Sequence, residues 1–198
     1  MFKRLALVLA LLAVLLAPSV VRAQSSADLI FADLDAYWSQ QLADRGVPYS
    51  SPRFKFVDYY GEELCGFLDA YDVIGGYCST SNTLSLSSQF ISPDYVPAVL
   101  TVLSHEFGHH IQNIMDTGVT SVLESELQAD CFGGAFIRYA VDSGWISPEV
   151  GAEAMQMTQM AGDVWWMAPG EPNEHGNQSD RVVAYWSGYN GGLSACGI

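Results

Sequence analysis

The run Pro97-Ala98-Val99-Leu100-Thr101-Val102-Leu103-Ser104-His105-Glu106-Phe107-Gly108-His109 decides how the rest of the chain is read. It follows Pro93 and continues to Met115 without a further proline, so one helix is predicted to carry it. A helix repeats its face every three to four residues, which projects His105 and His109 together and lets two imidazole nitrogens share one metal ion. Glu106 sits about 100° around the axis, within reach of a metal-bound water yet off the ligand face. In a chain with four histidines, this spacing arises by chance with a probability of about 0.004. Chance is a poor explanation.

Catalytic zinc takes three protein ligands and keeps one open position, so a third ligand is expected. A second helical pattern, Ser121 to Val141, carries Glu124, Glu126 and Asp130. Glu126 and Asp130 are four apart on one face, among Leu127, Ala129, Cys131, Phe132 and Ala135, and buried carboxylates require partners. Glu126 is therefore expected as the third ligand, with Asp130 accepting the free N–H of a ligating imidazole. Glu124 reads as exposed, and His110 points off the ligand face toward structural or surface use. Two nitrogens and one oxygen suit zinc better than calcium or magnesium, which prefer all-oxygen shells. Zinc acidifies a bound water and polarises a carbonyl, and Glu106 would serve as general base, so the chemistry implied is metal-assisted amide hydrolysis. The developing oxyanion needs a further donor. His175, in the polar loop Glu174-His175-Gly176-Asn177, is the candidate, ahead of Tyr185 and Arg181.

Elsewhere, Ala27 to Ala43 shows helical spacing of Leu29, Ile30, Leu34, Tyr37, Trp38 and Leu42. Pro52 to Tyr60 and Thr83 to Phe90 read as strands of a small antiparallel sheet. Pro148 to Met160 is a third helix whose methionines are flexible packing, residues 166 to 178 read as loop, and Asp180 to Trp186 as a short helix. The fold expected is α+β, the sheet packed on a zinc-bearing helix pair with further helices completing the core.

At the N-terminus, Lys3 and Arg4 precede the apolar run Leu5 to Ala17 and then Val21-Arg22-Ala23, the pattern of a secretory signal peptide spanning residues 1–23. About 13 apolar residues fall short of the roughly 20 that cross a bilayer. No membrane insertion is expected once the signal is removed. Residues 24–198 then form one domain, with five basic against 22 acidic side chains and a net charge of −17. That surface repels phosphate backbones and anionic lipid, which argues against nucleic acid as a partner. Cys65, Cys78, Cys131 and Cys196 all lie in the exported portion, an even count that favours disulfides. Of the three pairings, closeness in sequence favours Cys65 with Cys78, leaving Cys131 with Cys196.

His-Glu-Phe-Gly-His-His-Ile-Gln-Asn at 105–113, Glu-Leu-Gln-Ala-Asp-Cys-Phe-Gly-Gly at 126–134, and His175-Gly176 followed by Arg181 together resemble the bacterial neutral zinc metallopeptidases of the gluzincin group. The likeness runs from about Cys65 to Cys196. It departs from the family pattern at Asn177 and between Leu64 and Cys78, positions that bear on substrate preference. The resemblance implies a minimal gluzincin-like fold, Glu126 as ligand, Asp130 steadying a ligand histidine, His175 as oxyanion donor, and Asn82 to Gln89 as an edge strand that pairs with an extended peptide. The expectation is an exported zinc metallopeptidase acting on peptide or protein substrates in the envelope or outside the cell. The alternative is a zinc-stabilised module that binds peptides or envelope proteins without cutting them.

Overall fold

The structure, a computed structural model, describes residues 25–57, 74–88, 91–161 and 176–198. The expected signal peptide, Cys65, the loop ahead of residue 176 and His175 lie outside these. The first helix, α1 (Ser26–Asp44), starts on a capping box in which the Ser25 hydroxyl accepts from the Asp28 N–H and the Asp28 carboxylate accepts from the Ser25 N–H. Its buried stripe of Ile30, Leu34, Tyr37, Trp38 and Leu42 faces the core. Three strands follow, β1 (Arg53–Val57), β2 (Gly75–Cys78) and β3 (Thr83–Ser87). Four helices complete the described chain: α2 (Val96–Met115), α3 (Val122–Asp142), α4 (Pro148–Met160) and α5 (Gln178–Ala195). The fold is α+β. No helix among the described residues is long and apolar enough to cross a membrane.

The sheet is mixed rather than antiparallel. Its order is β1-β3-β2, with β1 parallel to β3 in the register Arg53↔Thr83 to Val57↔Ser87, and β2 antiparallel to β3 in the register Gly75↔Leu86 to Cys78↔Thr83. The physical reason lies in the connections. A tight turn ending in Asn82, whose φ is +46°, folds β2 straight back onto β3 and forces an antiparallel pair. Residues 58–82 separate β1 from β3, long enough for the chain to return in the same direction. The expected edge strand is consequently the central one: β3 is buried along its whole length, and among the described residues β2 lies at the edge.

The helices pack at close quarters around α3. Gly134 and Gly188 stand where α3 crosses α5, and a β-carbon on either would fall inside hard contact of backbone across the interface, at the Tyr185 and Cys131 carbonyls respectively. Cys131 and Cys196 form a disulfide that ties α3 to the end of α5. That pairing is as expected. Cys78 is also disulfide-bonded.

Candidate metal centre

His105, Glu106 and His109 occupy the second half of α2, with Glu126 and Asp130 one turn apart on α3. Gly108 brings the two helices together at this level: a β-carbon there would lie 2.7 Å from the Ala129 Cα and 2.9 Å from its Cβ, closer than the roughly 3.5–4.0 Å at which carbon atoms rest. The glycine inside the motif thus lets α3 approach α2 backbone to backbone. The Glu126 carboxylate arrives between the two imidazoles as a result.

The Nε2 atoms of His105 and His109 are 3.1 Å apart. One Glu126 oxygen lies 3.3 Å from the first Nε2, and the other oxygen 3.3 Å from the second. Tetrahedral coordination with bonds of about 2.0–2.2 Å places neighbouring donors about 3.3–3.5 Å from one another. The three groups, whose ligand atoms all lie within 4.8 Å of one another, can therefore hold a metal ion.

The far side of each ring fixes what the near side offers. His105 Nδ1 is 2.9 Å from Asp130 Oδ1, and since an ionised carboxylate only accepts, the ring donates its Nδ1–H. Arg181 clamps the same carboxylate, donating from Nε to Oδ2 at 2.6 Å and from Nη2 to Oδ1 at 2.7 Å, while Nη1 donates to the Ala161 carbonyl at 3.1 Å. The 3.2 Å approach of Arg181 Nη2 to His105 Nδ1 brings two donors together through the oxygen they share. On the other ring, His109 Nδ1 is 2.9 Å from Gln112 Oε1. The Gln112 Nε2 donates to the Ser125 carbonyl at 2.7 Å, which orients that amide and makes His109 Nδ1 a donor as well. Both imidazoles accordingly turn an Nε2 lone pair toward the same point, where Glu126 adds negative charge. Lone pairs and a carboxylate at such distances repel unless a proton or a metal cation sits among them.

The electrostatics agree. Burial alone would lower the His105 pKa, but hydrogen bonds to Asp130 and Glu126, with the charges of Asp130 and Glu106, outweigh it and raise the value to about 10. A place that holds a proton this firmly is one of concentrated negative potential, suited to a positive ion. Burial likewise opposes the Arg181 charge, and the Asp130 carboxylate more than restores it, so that its pKa is raised.

The remaining expected residues sort as follows. Glu106 is partly buried, with its Cγ 3.8 Å from where a Gly75 β-carbon would stand, so it lies beside strand β2. His110 is buried, 3.0 Å by Nε2 from the Ser50 carbonyl and 3.1 Å by Nδ1 from the Tyr77 hydroxyl, and burial lowers its pKa. Its role is structural, as expected. Glu124 is exposed and accepts from the Thr120 N–H and hydroxyl. Tyr185 donates to the Gly151 carbonyl and Arg181 is committed to Asp130, so neither is free to serve as the secondary oxyanion donor entertained for them. Sequence reading missed the clamp made by Arg181 and the support of His109 by Gln112. The usable signal for the latter was its i+3 spacing from His109 on one helix.

No protein-family model matches the chain, and no solved structure matches it. The chain is 26% identical over 171 residues to "Uncharacterized protein YpfJ" of Escherichia coli strain K12, an alignment covering 75% of this chain and 59% of that protein. The protein of the same name in Escherichia coli O6:H1 strain CFT073 matches to the same extent. The chain therefore spans about 59% of the length of these curated relatives.

Proposed function

We propose that His105, His109 and Glu126 hold a zinc ion and that the chain is an exported zinc metallopeptidase of the gluzincin kind. One observation carries the reading: two imidazoles, each fixed as a donor on its far nitrogen, stand 3.1 Å apart at Nε2 and each meets a Glu126 oxygen at 3.3 Å. Two nitrogens and a carboxylate favour zinc over the hard oxygen-seeking cations. When bound, zinc supplies Lewis acidity, acidifying a water and polarising the scissile carbonyl.

This chain's own residues do the rest. Asp130 and Gln112 hold the rings in the tautomer that leaves Nε2 free. Arg181 grips both oxygens of the buried Asp130 carboxylate and keeps it aimed at His105. Glu106, adjacent to the ligands but not among them, takes the proton of the attacking water at its carboxylate and returns it to the departing amine nitrogen. A peptide is the favoured substrate because β2, at the sheet edge among the described residues, passes beside Glu106, where an extended chain could add as a further strand. The Cys131–Cys196 disulfide supports export, since such bonds persist in oxidising compartments.

The test couples metal analysis to digestion of a peptide library with and without chelator. One zinc per chain, chelator-sensitive cleavage, and a Glu106→Gln variant that keeps its zinc but stops cutting are expected. Equal cleavage by parent and Glu106→Gln would refute the mechanism, and tight peptide capture without product would favour the non-catalytic alternative.

A further inference from the structure

His109 is one end of a longer chain of hydrogen bonds whose other end is a disulfide. Gln112 Oε1 receives His109 Nδ1 at 2.9 Å and the Ser125 hydroxyl at 2.8 Å. Gln112 Nε2 donates onward to Gln128 Oε1 at 3.1 Å, and the Thr117 hydroxyl donates to the same oxygen at 2.7 Å. That leaves Gln128 Nε2 to donate, which it does, to the Cys196 carbonyl at 3.0 Å. Every bond runs in one direction, from the imidazole N–H through two side-chain amides to a backbone carbonyl.

A side-chain amide has one accepting end and one donating end, so each link orients the next. Flipping Gln128 would face its nitrogen toward the Gln112 nitrogen and its oxygen toward the Cys196 carbonyl, losing both bonds. The Cys196 carbonyl thus anchors the Gln128 end of the relay, as the Ser125 carbonyl, 2.7 Å from Gln112 Nε2, anchors the Gln112 end. The first of these is held because Cys196, at the end of α5, is bonded to Cys131, three residues beyond Gln128 on α3. The same two cysteines line an open cleft of about 600 Å³, together with Thr117, Glu124 and Gln128.

We propose that the Cys131–Cys196 disulfide governs how tightly the ion is held at His109, through Gln128 and Gln112 as positioning residues. The inference rests on the metal-site reading above. A dithiol reductant would give two electrons and two protons to the disulfide, leaving two thiols and itself becoming a disulfide. The end of α5 is then released, Gln128 loses its acceptor, and Gln112 is held toward His109 by its Ser125 bonds alone, a looser hold on its oxygen. The ring can then carry its proton on Nε2, the atom the ion needs.

Because Cys78 is also disulfide-bonded, the experiment uses substitutions instead of a reductant. Zinc affinity is measured by competition with a chromophoric chelator for the parent, Gln128→Met, Cys131→Ser with Cys196→Ser, and all three changes combined. Outer partners of metal ligands are worth about 10–100-fold in affinity, so each change is expected to weaken zinc by about tenfold or more, and the combination no further than either alone. In the zinc-loaded protein, where the ion on Nε2 leaves the ring proton on Nδ1, that His109 proton should exchange slowly by NMR in the parent and measurably faster in Gln128→Met. Circular dichroism identifies any variant that fails to fold, and Gln128→Met, which keeps the disulfide, carries the test if the serine pair does not fold. Parent-like affinity in Gln128→Met, or losses that multiply in the combined variant, would overturn the relay. A parent that binds zinc no better than His105→Ala would overturn the metal site itself.

Discussion

Replacing Gly108 by alanine sets helix propensity against packing. In an exposed helix interior the change would stabilise by about 1 kcal/mol. Here the new methyl would stand 2.7 Å from the Ala129 Cα, 2.9 Å from its Cβ and 3.0 Å from its carbonyl oxygen. Carbon pairs rest at about 3.5–4.0 Å, so α3 must retreat from α2 by about 1 Å. Overpacking of this kind costs about 1–3 kcal/mol, which cancels or exceeds the propensity gain and leaves the variant up to about 2 kcal/mol less stable.

The larger effect falls on the site. Glu126 lies three residues before Ala129 on the same helix, so its oxygens move from 3.3 Å to about 4 Å from the imidazole nitrogens, whereas ligand distances tolerate only about 0.2 Å. Zinc affinity should fall at least tenfold, about 1.4 kcal/mol. Chelator competition measures this directly, and thermal unfolding with and without zinc separates it from the stability term. Adding Ala129→Gly relieves the clash with the Ala129 methyl but leaves the backbone of α3 in the way, so it should recover only part of the loss. A Gly108→Ala protein about 1 kcal/mol more stable than the parent, with unchanged zinc affinity, would refute the close helix crossing and with it the account of how Glu126 reaches the site.

Arg181→Met leaves the buried Asp130 carboxylate with His105 alone; a loss of about 3–5 kcal/mol in urea unfolding under chelator is expected, and a parent-like midpoint would show that the clamp carries no stability. Gly188→Ala places a β-carbon within hard contact of the Cys131 carbonyl and 3.0 Å from the Ala135 nitrogen, so α5 must shift and carry Arg181 away from Asp130. Destabilisation at the upper end of about 1–3 kcal/mol, or beyond it, is expected, together with weaker zinc binding, and an unchanged urea midpoint would count against the packing described.

The elements that sequence reading located best are those whose pattern is internal to one segment. The stripe of α1, the proline-started α4 and the capped α3 each carry their own periodicity or boundary signal, and their expected limits lie within one or two residues of those observed. Strand β2 was missed because Gly75-Gly76-Tyr77-Cys78 has two glycines and no alternation; it is a strand only because the turn at Asn82 lays it against β3. Helix α5 was expected to stop near Trp186 and runs on through Gly188 and Gly191 to a kink at Gly192, whose φ is +64°, before the last residues to Ala195. Gly188 is the residue that lets the α3 backbone approach.

The same division runs through the candidate site. His105, Glu106, His109, Glu126 and Asp130 were legible because metal chemistry pairs histidine, of which the chain has four, with carboxylates at a spacing a helix makes meaningful. Gln112, Ser125, Gln128 and Arg181 are common polar residues, and on a helix each reads as solvated until its partner is known. Their meaning is relational. The position of α3 makes the point: it is set against α2 by Gly108 and against α5 by Gly134 and Gly188. The reach of Glu126 to His105 and His109 therefore depends as much on missing β-carbons as on the three side chains themselves, and substitutions at those glycines should damage the proposed metal centre without touching any residue proposed to hold the ion.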